Sequence, residues 1–261
     1  MAYFQPKELV SKAVDAAMVR NRTTVSKTLV LAFLAGSYIA LGGLLAVMVG
    51  GGIPTIAAEN PGLSKFMMGA VFPLGLILCV IAGADLFTGN TAYFIPPVLS
   101  GKLPFLALIK NWSLVYVGNF IGSMFVAYIL AYQTGVFADA PWINSITDLA
   151  TAKTTSSFLI VFTKGIGANW LVALAVWLAF SAKDVQGKII AIWFPVMAFV
   201  AMGFEHSVAN MFFIPTAIFY GAEISWSTFL VQNLLPATLG NIVGGSFLTG
   251  GLYWYLYDEK Q

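Results

Sequence analysis

Two apolar stretches constrain any fold this chain can adopt. Residues 66–99 and 189–219 run for 34 and 31 residues, and each carries a carboxylate near its middle, Asp85 and Glu205. As unbroken helices they would measure about 51 and about 46 Å, against a hydrocarbon core of about 30 Å. Neither fits as one straight span, and an acid at mid-membrane is costly unless it faces protein, water or unpaired backbone. Each acid sits in a Gly-x-acid element, Gly83-Ala84-Asp85 and Gly203-Phe204-Glu205. The sequence therefore predicts a helix break at each, because an interrupted helix frees N–H groups that side chains must satisfy where water is absent.

Four more apolar stretches, near 28–50, 104–133, 157–181 and 228–257, are each long enough for one crossing. With 59% hydrophobic and 9% charged residues, where a soluble chain carries about 25% charged, the chain reads as an all-α integral membrane protein with six spans in a lipid bilayer. Its 13 bases and 11 acids leave a net charge of +2 and form no basic stripe, which excludes a nucleic-acid partner. The single cysteine, Cys79, offers no disulfide and no CxxC pair, so neither a metal nor any other cofactor is expected.

Residues 1–27 place Leu9, Val10, Ala13, Val14, Ala17 and Met18 at helical spacing, which suits a cytoplasmic amphipathic helix lying on the membrane or a solvated leader. The six-span domain follows over 28–257, with a tail at 258–261. Ten bases (Lys7, Lys12, Arg20, Arg22, Lys27, Lys102, Lys110, Lys183, Lys188 and Lys260) share one side if both termini do. Lys65 and Lys153 fall opposite, and Lys164 lies within the fourth span. The bias puts both termini in the cytoplasm of a multi-pass protein of the cell membrane.

The two breaks are copies. At an offset of 120, Gly83, Asp85 and Asn90 match Gly203, Glu205 and Asn210, and Asn111, Gly118, Asn119 and Gly122 match Asn233, Gly240, Asn241 and Gly244 at 122. Spans one and four show no clear match. Repeats of three spans, near 28–133 and 157–257, must insert upside down relative to each other, with a site near mid-membrane where half-helix N-termini favour an anion.

Spacing alone leaves the individual roles open. Asp85, Thr88, Asn90 and Asn210 suit helix caps as well as a binding site. His206, the lone histidine, beside Glu205, suits a packed core as well as proton exchange or hydrogen bonding to an anion. Lys153 is either a solvated loop charge or an anion attractor. Phe72, Leu76, Leu86, Phe87 and Phe199 are ordinary apolar residues or, if they face a pore, its constrictions. The Asn241 amide fits a simple bond to a neighbouring helix.

Gly83-Ala84-Asp85-Leu86-Phe87-Thr88-Gly89-Asn90, Gly167-Ala168-Asn169-Trp170-Leu171-Val172, Gly203-Phe204-Glu205-His206-Ser207-Val208-Ala209-Asn210-Met211 and Thr238-Leu239-Gly240-Asn241 resemble the formate/nitrite transporter family, above all its formate channels. The resemblance implies an aquaporin-like six-helix protomer with its own pore, assembled as a homopentamer. It also implies Thr88 and His206 at a central site, Lys153 drawing anions into the outer vestibule, and Asn169 and Asn241 polarising the site. Leu76, Leu86 and Phe87 would form the inner constriction, and Phe72 and Phe199 the outer one. Gly89-Asn90 departs from the small polar residues of some enteric formate channels and leaves nitrite and hydrosulfide open as substrates.

The leading expectation is a channel for a small monovalent anion, formate foremost, which enters charged and crosses the constrictions as the neutral acid after taking a proton from or through His206. An intramembrane enzyme using Asp85 and Glu205 as a carboxylate dyad is the rival class. The repeat argues against it by making the two acids equivalent structural parts. The Asn-Pro-Ala boxes of neutral-solute channels are absent from both breaks.

Overall fold

The computed structural model describes residues 3–258, and its regular elements are helices, with one isolated bridge between Tyr3 and Ala182. Helix α1 (Pro6–Arg22) precedes the first crossing, α2 (Val25–Gly51). After the short α3 (Pro54–Glu59), the second crossing runs through α4 (Pro61–Val71), α5 (Leu74–Leu78) and a π-helical turn, Cys79–Gly83. There it breaks, to resume as α6 (Phe87–Tyr93) and α7 (Ile95–Leu99). The third crossing is α8 (Phe105–Phe125) with a π-helical turn, Val126–Tyr132.

Helix α9 (Trp142–Thr155) links the halves, and α10 (Phe158–Ser181) is the fourth crossing. The fifth is split into α11 (Val185–Ala201) and α12 (Ser207–Phe219). The sixth runs from α13 (Trp226–Thr228) through α14 (Leu235–Gly245) to α15 (Leu252–Tyr257), with π-helical turns at Phe229–Leu234 and Ser246–Gly251. The six crossings and two breaks expected from the sequence are the architecture observed. At each break a glycine takes positive φ, Gly83 at 85° and Gly203 at 70°, the left-handed conformation that ends a helix cleanly and that a side chain disfavours.

Helix α1 departs from the expectation of a membrane-surface or solvated helix. Leu9, Val10, Ala13, Val14 and Ala17 are buried, and α1 packs on α6, α7, α10 and α15. Its apolar face is covered by protein because the helix crosses beneath the end of the bundle. Lys260 and the tail after Asp258 lie outside the described residues; Asp258 accepts a hydrogen bond from Ser100 Oγ at 3.1 Å.

The inverted repeat shows in how the crossings pack. A Cβ on Gly118 or Gly122 would strike Ala32 or the Phe33 carbonyl of α2, and one on Gly240 or Gly244 would strike the carbonyls of Phe162 or Ile166 in α10. Small residues thus let α8 lie against α2, and α14 against α10, at backbone distance. These contacts supply the match that the sequence of spans one and four lacks. Asn119 donates to the Ala32 carbonyl and Asn241 to that of Gly165, while Asp85 N–H reaches the Leu31 carbonyl and Glu205 N–H that of Lys164. Each α2 position answers to an α10 position 133 residues later.

Gly240→Ala is expected to lower the thermal stability of detergent-extracted protein, by about 1–3 kcal/mol, because the methyl meets backbone that cannot turn aside. Gly62→Ala, whose Cβ would meet only Asn60 Oδ1 at 3.6 Å, serves as the control and should melt like the parent.

Candidate functional site

A half-helix that begins inside the protein exposes N–H groups that need acceptors. The sequence suggested Asp85 as a cap, but no side chain of the break itself caps α6. Instead Asn119, on α8, accepts from Phe87 N–H at 2.9 Å and donates to the carbonyls of Ala32 and Asp85 at 2.8 and 3.0 Å. Asn241, on α14, repeats this on the other break, accepting from Ser207 N–H at 2.8 Å and donating to Gly165 and Glu205 carbonyls at 2.8 and 2.9 Å. Each amide therefore ties one break to two helices, and Asn241 has its polar atoms committed to backbone. The downstream asparagines repeat as well: Asn90 donates to Asn111 at 2.6 Å, and Asn210 to Asn233 at 2.8 Å and to Glu205 at 2.6 Å.

The carboxylates are held by bases. Asp85 takes the Arg20 Nε–H at 2.8 Å, and Glu205 takes the Lys153 ammonium at 2.9 Å. Arg20 comes from α1, gives a second hydrogen bond to the Ala16 carbonyl, and lies 4.8 Å from the centroid of the Tyr93 ring. Nothing in the spacing of the sequence pointed to it. Lys153, expected in an outer loop and free to attract anions, sits near the end of α9 with its charge neutralised by contact with Glu205. Asp85 and Glu205 thus each have their own base, and they do not meet as a dyad.

A cavity on the α1 side and another on the α9 side flank a dry gap. The α1-side cavity, about 290 Å³, is lined by Arg20, Asp85, Tyr93, Cys79, Leu76 and Leu86 among others. The α9-side cavity, about 180 Å³, is lined by Lys65, Lys153, Phe72, Phe199, His206 and Phe213 among others. The gap joining them is walled by Phe72, Leu76, Leu86, Val172, Phe199 and His206, with Ile39 and Val196, and has no room for a water molecule. Phe72 and Phe199 meet nearly edge to face, with centroids 5.8 Å apart. Phe87 does not join them. Its ring packs on Tyr116 and Trp112 at 4.9 and 6.1 Å, turned toward α8, whose Asn119 holds its N–H.

At the gap, His206 Nε2 and Thr88 Oγ1 are 3.0 Å apart. The other ring nitrogen, Nδ1, accepts from Ala209 N–H at 3.1 Å and so caps α12. That acceptor role assigns the proton of a neutral ring to Nε2, which donates toward Thr88, leaving the Thr88 hydroxyl proton free to donate elsewhere. The imidazole is fixed further by stacking on Phe199, centroids 5.7 Å apart. Asn169 lies behind this pair. Its Nδ2 donates to Thr91 Oγ1 at 2.8 Å and to the Asn241 carbonyl at 2.5 Å, and Thr91 donates to the Thr88 carbonyl at 2.7 Å. Neither Asn169 nor Asn241 lines the three spaces. Among the described residues no cluster could hold a metal ion.

Over residues 7–255 the chain matches the family described as "Formate/nitrite transporter". It is 45% identical, across 99% of each chain, to a probable formate transporter of Methanothermobacter thermautotrophicus. A formate channel of Bacillus thuringiensis is 37% identical, the match covering all of this chain and 98% of that one. Among solved structures, an FNT family ion channel superposes with a TM-score of 0.88 at 32% identity, covering 95% of this chain and 98% of the other. A pentameric formate channel with formate bound gives 0.79 at 35% identity, covering 90% and 98%.

Removing one partner of a buried ion pair strands the other charge, at a cost of about 3–5 kcal/mol, whereas removing both can be close to neutral. Lys153→Met should therefore destabilise the detergent-solubilised protein strongly, and adding Glu205→Gln should recover part of the loss. Additive losses in the double variant would show that Lys153 does not stabilise through Glu205.

Proposed function

The chain belongs to the formate/nitrite transporter family of multi-pass membrane proteins, and from that premise we propose that it is a channel for formate that moves the substrate as the neutral acid. The reading rests on one observation: two cavities, each carrying a base, are separated by an apolar gap whose one polar wall residue is His206, its ring hydrogen-bonded to the Thr88 hydroxyl. The names of relatives favour formate over nitrite as the substrate. The chain sits in the cell membrane with both termini in the cytoplasm, a placement supported by the distribution of its bases. A homopentamer is supported by the pentameric formate channel it resembles.

Formate would enter either cavity as the anion. At the gap its oxygen displaces the contact between His206 and Thr88 and accepts from Nε2–H and from the Thr88 hydroxyl. The first N–H groups of α6 and α12 add a field that favours negative charge. A bare carboxylate cannot pass between Phe72 and Phe199, or between Leu76 and Leu86, without losing its hydration, at a cost of several kcal/mol. A proton supplied by hydronium from the cavity and taken by the other carboxylate oxygen converts formate to formic acid and removes most of that barrier. His206 acts here as a donor that holds the anion for protonation. For the ring to pass a proton on, Nδ1 would have to take one and give up its bond to Ala209 N–H.

Uptake of labelled formate by proteoliposomes tests the reading directly. Parent protein should take up formate faster as the external pH falls, and His206→Phe, which keeps bulk and removes the donor, should lose most of that flux or its pH dependence while leaving the oligomer intact. Unchanged flux with an unchanged pH profile would remove His206 from the mechanism.

A further inference from the structure

Two ammonium groups line the α9-side cavity, and they differ in what a distant anion feels. Lys153 is 2.9 Å from the Glu205 carboxylate, so beyond a few ångströms the pair presents a dipole with no net charge. Lys65, on the first turns of α4, lines the same cavity and is exposed. Among the described residues it forms no ion pair, since the two ion pairs present are Arg20 with Asp85 and Lys153 with Glu205. Glu59, the acid nearest to it in sequence, on α3, is not bonded to it either. The uncompensated charge of this cavity is therefore that of Lys65, and the cavity leads to Phe72, Phe199 and His206.

We propose that Lys65 is the residue that draws the anionic substrate into this cavity from solution, with Lys153 serving to neutralise Glu205. The inference rests on the reading of the protein as an anion channel. A charge acting through water and low-dielectric walls raises the local anion concentration without binding the anion tightly. Removing it alters the concentration dependence of uptake, leaves the rate at saturation in place, and is undone by salt.

The test is uptake of labelled formate from the α9 side, in vesicles of determined orientation, for the parent, Lys65→Gln and Lys65→Arg. Ionic strength is set with an impermeant salt at about 0.01 M and about 1 M, where the Debye length is about 30 and about 3 Å. At low salt Lys65→Gln should raise the half-saturating formate concentration about two- to threefold with the saturating flux unchanged, Lys65→Arg should restore the parent value, and high salt should bring all three together. Identical half-saturation at low salt would overturn the proposal. A defect that persists at high salt, or falls on the saturating flux, would overturn it too by giving Lys65 a direct contact role. Absence of formate flux in the parent itself would overturn the anion reading and this inference with it.

Discussion

A helix interrupted inside a bilayer leaves N–H and C=O groups that no water can take, and the rest of this molecule is arranged around that deficit. Asn119 and Asn241 each satisfy two backbone groups of a break and bind a third, on α2 or α10, from a neighbouring helix. They reach that far only because their helices lie at backbone distance from α2 and α10. Gly118 and Gly122 permit the approach in one half, and Gly240 and Gly244 in the other. Small residues, close packing, amide clamps and helix breaks are thus successive consequences of one requirement. The carboxylates add the second layer: each break carries an acid, and each acid is matched by a base from a helix outside the broken crossing.

The scaffold is nearly two-fold symmetric, but its centre is not. At the offset of 120 that relates the breaks, Leu86 answers to His206, and Thr88 answers to Val208. One repeat therefore contributes the imidazole and the other the hydroxyl, and each places an apolar residue where its partner is polar. The outcome is one polar wall residue, His206, in an otherwise apolar gap, held by its contact with Thr88. A second histidine at position 86 would add a polar ring where Leu86 now keeps the α1-side approach dry.

The breaks and the six crossings were legible because a Gly-x-acid element in an overlong apolar run has few other readings, and because the second copy repeats it. Equivalence of spans one and four was hidden for a physical reason. What corresponds is the carbonyls of Ala32 and Gly165, or of Leu31 and Lys164, and any residue supplies a carbonyl. Arg20 was missed because its pairing with Asp85 spans 65 residues and depends on where α1 docks. Even so, a buried acid copied from Glu205 implied a base somewhere. Phe87 was expected at the constriction, but it opens a half-helix whose N–H is held by Asn119 on α8, and its ring follows that bond toward Tyr116. Lys153 looked like a loop charge because apolar periodicity does not show that α9 packs its last turn over the second break.

Passage of formate as the neutral acid has a signature that no side-chain substitution is needed to read. In proteoliposomes containing a pH-sensitive dye and clamped at different membrane potentials, each formate taken up through the protein should deliver one proton to the lumen. The initial rate should then be indifferent to the sign of the potential. Uptake that follows the membrane potential without acidifying the lumen would mean that formate crosses the gap of Phe72, Leu76, Leu86 and Phe199 as a bare anion, and would contradict neutralisation at the His206–Thr88 pair.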